Sequence, residues 1–435
     1  MTSYVRHYSN RIGSGLVVHR LLLANAGFLT VAAAASALLG FVFWLWTARS
    51  LPPEQQGLAS ATVSTMNMLA FLGEFGFGTL LMGRLKSDEG SRGLMTAAVV
   101  CSFASSLAAA LLFIFFSSDL SPKLRDIIQD HRTLFIVGVV TTAVAMTADG
   151  AAIGLLASWA RMLREIVFSV LRLLFLLLIF EYSGIPQPAT VVAVWIAALF
   201  ASLACTFGGY AFRQRNALVH PDFPELGKFT GDILGHHALN LGALGPSIAL
   251  PFLVTEVLSP TVNAVFYITW MLLQAAMLVP SAVATALFAI SSANPEAAIV
   301  RLRFSLQISA LFGVVAGIGC YVFLQPMLGF FNAAYPAIAG SSLDWLGFSL
   351  LPIMIKFHYI AVMRLRRRMM TAALLVGAGA LLELAAAVFG GTEDGLAGLA
   401  SLWMAAIIVQ ACVQLPTILG AARWSLRQQA PATQT

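Results

Sequence analysis

The sequence predicts an all-α polytopic membrane protein of about twelve transmembrane helices in two six-helix lobes. Three observations predict it. First, of 435 residues 59% are apolar and 10% charged, and the mean hydropathy is +0.86, so hydrocarbon rather than water is the main solvent. Second, charge-free stretches recur at 21–48, 93–118, 182–212, 257–295 and 395–422. Each can cross a hydrocarbon core about 30 Å thick, which takes about 20 helical residues. Third, the basic residues come in small groups between apolar runs, as membrane orientation requires and nucleic-acid binding does not.

The helices, in order, are expected at 25–47, 57–83, 94–116, 133–157, 162–181, 188–210, 232–255, 262–290, 305–325, 341–363, 370–389 and 396–419. The chain is polar through Arg20, and the apolar run after it exceeds the 7 to 15 residues of a signal-peptide core, so the first helix is expected to stay uncleaved. With the N-terminus placed in the cytoplasm, 19 of the 25 basic residues fall on cytoplasmic segments. Four fall outside (Arg49, Lys123, Arg125, Arg132) and two within helices (Arg172, Lys356), so both termini are expected inside.

The chain also repeats at an offset of 207 residues. Leu51-Pro52-Pro53 with Gly57 matches Leu258-Ser259-Pro260 with Ala264, Cys205 matches Cys412, and Arg161 matches Arg368. The longest outside loop, 117–132, matches 324–339. Two parallel lobes of six helices follow, and such repeats usually face each other across a cavity that opens alternately to the two sides. The expected organisation is a cytoplasmic N-terminal segment 1–24, an N-lobe 25–210, a linker 211–231 with Pro221 and Pro224, a C-lobe 232–420 and a cytoplasmic tail 421–435.

Ionisable groups at the bilayer centre cost at least about 2.5 kcal/mol each, so those present usually face a cavity or a partner. Arg172 is the deepest cation, and at about 100° per residue it shares a helix face with Arg161 and Glu165. Either a basic ladder leads inward there, or Glu165 neutralises both arginines. Lys356 and Tyr359 share a face at i, i+3 and could offer a charge and a hydroxyl to a phosphate, unless Lys356 snorkels to the interface. His236 and His237, beside Asn240, could gate or contact phosphate, or form a plain interfacial pair. Glu74, Asp149 and Glu165 could couple transport to a cation, or serve as counter-charges to arginines such as Arg84.

Several classes are excluded. The glycine string Gly73-Glu74-Phe75-Gly76-Phe77-Gly78 has no following Lys-Ser/Thr and no preceding strand, so it is no nucleotide loop. Cys101, Cys205, Cys320 and Cys412 all fall in helices without CxxC or His/Cys ligand spacing, which indicates neither a disulfide framework nor a metal site. No catalytic order of Ser, His and Asp stands out and the outside loops are short, so no enzyme and no cofactor are expected.

Residues around the second helix carry a resemblance: Pro53-Glu54 with Gly57 at its start, Phe75-Gly76-Phe77-Gly78 near its end and Arg84 closing it. The second half adds Leu250-Pro251-Phe252-Leu253-Val254, Asn263-Ala264-Val265-Phe266-Tyr267-Ile268-Thr269-Trp270, Pro280, Ala286-Leu287-Phe288 and Tyr335. Together they resemble the bacterial polysaccharide-transporter, or lipid-linked oligosaccharide flippase, family of the multidrug/oligosaccharidyl-lipid/polysaccharide exporter superfamily. The resemblance implies a V-shaped pair of lobes in the bacterial inner membrane, moving a polyprenyl-pyrophosphate sugar from the inner to the outer leaflet. It further implies membrane lipids as surroundings, and glycosyltransferases and a polysaccharide polymerase as partners.

Lipid II flippases of this superfamily usually have fourteen helices, which favours surface-polysaccharide precursors here. The rival within the superfamily, a multidrug/cation antiporter, relies on membrane carboxylates in helix 1, or in helices 7 and 10. Helix 1 has none, and Glu256 and Asp344 lie at outer ends. A non-transporting scaffold for polysaccharide synthesis is the alternative from another class.

Overall fold

The structure, a computed structural model, describes residues 28, 31–85, 90–183, 187–208, 219–293, 298–366 and 368–429. Arg6, Arg11, Arg20, Lys86, Arg213, Arg215 and Arg367, all placed inside by the charge pattern, lie outside the described residues, as do 1–24 and 430–435. The side chains of Arg301, Arg423 and Arg427 are likewise not described.

Among the described residues the chain is helical, without strands. Helix α1 spans Val31–Ser50. Pro53 then opens α2a, Pro53–Glu74, in the first turn, where its missing N–H costs nothing. Next come α2b, Phe77–Arg84; α3, Gly90–Phe115; α4, Arg132–Gly154; α5, Ser158–Ser183; and α6, Pro188–Leu203. The second half holds α7, Thr230–Val257; α8, Pro260–Ala293; α9, Ala298–Phe331; and α10, Leu350–Leu365, entered through a 3₁₀ turn, Asp344–Ser349. A last helical run, Met369–Gln429, leaves helical geometry at Asp394 and Gly395, which divides it into α11 (369–393) and α12 (396–429).

Nine of these helices are long and apolar enough to cross a membrane, or ten when the bent pair α2a and α2b counts as one, with α11 and α12 taken together. Helix α5, which carries Arg161, Arg164, Glu165, Arg172 and Glu181, is not in that set among the described residues. Large apolar side chains face outward along these helices, as at Phe115, Leu311 and Leu381, which is how a protein meets lipid.

The expected single helix at 57–83 is corrected to a broken one. Phe75 (φ 57°) and Gly76 (φ 83°) both adopt left-handed backbone, which ends α2a and turns α2b by 53°. Within the expected linker 211–231 lies a helical turn, Phe223–Gly227, capped by Asp222 accepting from the Glu225 N–H (2.9 Å), and α7 begins at Thr230.

The core runs through the seam between the halves. Phe43 and Trp44 of α1, Met66 of α2a, Phe135 of α4, Phe266 and Trp270 of α8, Phe331 and Trp403 belong to one buried cluster. At the seam α2a and α8 touch backbone to backbone, since a Cβ at Gly57 would run into the Pro260 carbonyl. Around this point Arg49 donates twice to the Phe330 carbonyl (3.0 and 2.8 Å), and Asn332 donates to the Ala48 carbonyl (2.8 Å). Lys123 Nζ donates to the carbonyls of Glu256 (2.8 Å) and Leu258 (2.7 Å). At the opposite end the halves meet where α2b reaches α7. Arg84 pairs with Asp232 (2.7 Å), Asn240 donates to Thr79 Oγ1 (3.0 Å), and the Phe75 ring stacks on His237 at 4.6 Å.

Candidate functional site

The charged groups inside the bundle fall into four sets. The first spans the α4–α5 hairpin. Asp149 lies five residues before the end of α4 and Arg164 six residues into α5, so a tight turn brings them level. Arg164 binds Asp149 through Nε (2.7 Å) and Nη2 (2.5 Å), the forked geometry that suits guanidinium to carboxylate. Arg161 Nε lies 3.0 Å from Glu165 and 3.7 Å from Asp149, and Arg164 lies 3.9 Å from Glu165. Asp149, Arg161 and Glu165, singled out separately in the sequence, therefore form one network with Arg164, which sequence reasoning passed over.

Arg172, the second set, stands apart from that network. About 21 Å along α5 from Ser158, its side chain is 3% exposed. Its guanidinium carbon lies 4.9 Å from the Phe168 ring, 5.1 Å from Trp195 and 5.5 Å from Phe43. Such faces attract a cation through their quadrupoles. Nη2 reaches the Ser36 carbonyl (3.3 Å) and Ser169 Oγ (3.4 Å), and Nε has no hydrogen-bond partner. Glu165 thus neutralises Arg161 but not Arg172, which corrects one of the two readings of this face.

The third set joins α10 to α11. Lys356 Nζ lies 2.6 Å from Glu383 Oε1, with side chains 6% and 2% exposed, so Lys356 is engaged inside the bundle and does not snorkel to an interface. Tyr359, on the same helix, packs among Leu239, Leu287 and Ile360. Nearby, His358 Nδ1–H donates to the Met354 carbonyl (2.7 Å), which leaves Nε2 to accept from Ser305 (2.7 Å). Asp149 and Lys356 are equivalent under the 207-residue offset. Each half thus has one member of a buried ion pair at this position, an acid in the first and a base in the second, although the partners Arg164 and Glu383 are not related by the offset.

The fourth set is the break in α2. Glu74 accepts from the Gly76 N–H (2.9 Å) and the Gly78 N–H, so its carboxylate caps the positive start of α2b. That accounts for the glycine string: Gly76 takes a left-handed φ, and a Cβ at Gly78 would crowd Glu74 Oε1 and the Met146 carbonyl of α4, while Gly150 of α4 leaves room for the Gly78 backbone. His237 stacks on Phe75 at this break, while His236 is half-buried beside it. Arg84, one proposed counter-charge for Asp149, pairs with Asp232 instead. Among the described residues no cluster of His, Cys, Asp or Glu has the arrangement of a metal site.

The fold is a membrane-type helical bundle in two packed halves, with charged groups buried in its interior. Residues 22–230 match the family model described as polysaccharide biosynthesis protein. Solved structures add the fold. The chain is similar to an inward-facing multidrug resistance MATE family transporter of the MOP superfamily, at 14% identity and a TM-score of 0.68, covering 89% of this chain and 96% of that one. An outward-facing structure of such a transporter aligns at 13% identity and a TM-score of 0.68, covering 94% and 96%. A MOP superfamily transporter from Pyrococcus furiosus aligns at 14% identity and a TM-score of 0.66, covering 95% and 96%. No curated protein matches the chain. The family match covers just under half of the chain, and the solved structures share its fold.

Proposed function

We propose that the chain is a flippase that carries a polyprenyl-(pyro)phosphate-linked oligosaccharide from the inner to the outer leaflet of a bacterial inner membrane. The product would feed surface or exopolysaccharide synthesis, with glycosyltransferases and a polymerase acting before and after it. The match of residues 22–230 to polysaccharide biosynthesis proteins supports this reading. The observation that carries it is the charge of the α4–α5 hairpin, where Arg161 and Arg164 share Asp149 and Glu165 while the buried Arg172 lies apart from both carboxylates. A substrate with a hydrocarbon tail can leave that tail in lipid, but its anionic headgroup and glycan need a polar, cationic route. Alternating access between the lobes would supply the movement.

A multidrug/cation antiporter is the rival, favoured by the fold shared with MATE transporters. It needs a carboxylate available to a cation. Glu256 accepts from Ser121 Oγ (2.6 Å), and Asp344 accepts from Gln325 (2.8 Å). Proteoliposomes containing the full chain and a fluorescent lipid-linked sugar separate the two. We expect the chain to speed exposure of that sugar to a membrane-impermeant quencher, with no dye efflux. Dye efflux that fails in Glu256→Gln or Asp344→Asn, without sugar movement, would overturn the proposal, and a scaffold would show neither activity.

A further inference from the structure

We infer that Arg172 is the phosphate subsite of the chain, closed by α1 in the conformation described; the inference deepens the flippase reading and rests on it for the lipid-linked source of the phosphate. Three buried lysines or arginines occur among the described residues: Arg164, Arg172 and Lys356. Arg164 has Asp149 and Lys356 has Glu383, whereas Arg172 makes no ion pair. A charge left without a counter-charge in a helix centre is costly to keep, which favours a role over mere retention.

The surroundings indicate what kind of ligand fits. Aromatic rings of Phe43, Phe168 and Trp195 occupy the neighbourhood of the guanidinium, and rings recognise a cation but accept no strong hydrogen bond. The N–H groups are held only by two long contacts, to the Ser36 carbonyl and Ser169, while Nε has none. A planar guanidinium with underused donors matches the paired oxygens of a phosphate. Trp195, beside the guanidinium, lies 5.8 Å from Trp44 of α1, whose ring packs on Tyr267 of α8 at 4.8 Å, so the group sits close to where the two halves meet. Under the 207-residue offset the counterpart of Arg172 is Gly379, so the second half has no such cation.

Helix α1 covers the site. Its Ser36 carbonyl holds Nη2, and its Gly40 leaves room for the guanidinium, because a Cβ there would lie 3.0 Å from Nη2. A phosphate takes the place of the Ser36 carbonyl once α1 gives way.

The test uses the full chain in nanodiscs with two probes, sugar-free polyprenyl pyrophosphate and inorganic pyrophosphate, and reads tryptophan fluorescence and calorimetry. We expect polyprenyl pyrophosphate to bind, Arg172→Gln to weaken it by about tenfold or more, and Arg172→Lys to fall between, since a charge remains without the fork. Gly40→Ala keeps the arginine but crowds Nη2, and is expected to weaken binding as well; it decides the matter if Arg172→Gln fails to fold. Binding of inorganic pyrophosphate alone, lost in Arg172→Gln, supports the anion site and overturns the lipid-linked source. Wild-type affinity in both Arg172→Gln and Gly40→Ala overturns the site. Sugar movement at the wild-type rate in Arg172→Gln would remove the subsite and leave the flippase standing, whereas carrier binding through Arg172 without any sugar movement would do the reverse.

Discussion

At the residue scale, Lys356 and Glu383 are the sharpest case of charge sealed in apolar surroundings. Removing one member leaves the other buried alone, so Lys356→Met or Glu383→Leu should each cost about 3–5 kcal/mol of stability. The double variant should recover most of that, because two apolar side chains of similar size avoid the desolvation of both ions. Unfolding of purified protein in mixed micelles, measured as a double-mutant cycle, checks both statements. If the double variant is as unstable as the singles, the pair acts through something other than its charges. The sequence made these ionisable residues visible as types but left their partners open. Asp149 could not be assigned to Arg164 without the geometry of the α4–α5 turn, and Glu165 seemed equally able to serve Arg161 or Arg172. The rings around Arg172 were not legible at all. In a chain solvated by lipid, apolar side chains face outward as well as inward, so Phe43, Phe168 and Trp195 do not differ in pattern from rings that touch hydrocarbon.

At the element scale, the broken α2 is where reading from sequence failed and the structure explains why. Glycines in an apolar run are equally compatible with close helix packing, and only the left-handed φ of Phe75 and Gly76 reveals a bend. Gly76→Ala forces a Cβ into that region and should destabilise the protein by about 1 kcal/mol or more, read by thermal unfolding. Beyond the bend, α2b packs closely on α4 and meets α7 through an ion pair whose side chains are 51% and 46% exposed, an amide contact, the Phe75–His237 stack and an apolar cluster that joins Phe77, Leu80 and Leu81 to Ile233. The exposed pair itself contributes at most about 1 kcal/mol, so opening this end would mainly have to separate the apolar cluster around Ile233. A reducible cross-link between Arg84→Cys and Asp232→Cys should arrest transport, and reduction should restore it. Full transport in the cross-linked protein would show that this end does not open during the cycle. The remaining helices were readable because each expected segment is one long apolar run with polar ends, a signal that membrane thickness imposes directly.

At the scale of the whole molecule, the two halves meet most closely where Gly57 lies against Pro260. These positions flank the proline-led helix starts that the repeat relates, so the chain packs one copy of its own motif against the other. Gly57→Ala should push α2a from α8 and cost about 1–3 kcal/mol, as overpacking generally does. Spin labels near Arg49 and Phe330 should then report a larger share of molecules open at that end; an unchanged distance distribution would mean that the seam yields elsewhere. The same repeat also bears on stoichiometry. A transporter assembled from two identical halves would carry two copies of every interior charge, and two anions could be held at once. Here the position matching Arg172 is Gly379, and the matching residues Asp149 and Lys356, each in a buried ion pair, have opposite signs. The chain is therefore electrically one-sided: a duplicated N-terminal half could copy the fold, yet it would bring two copies of a buried arginine without a carboxylate partner where the described residues hold one.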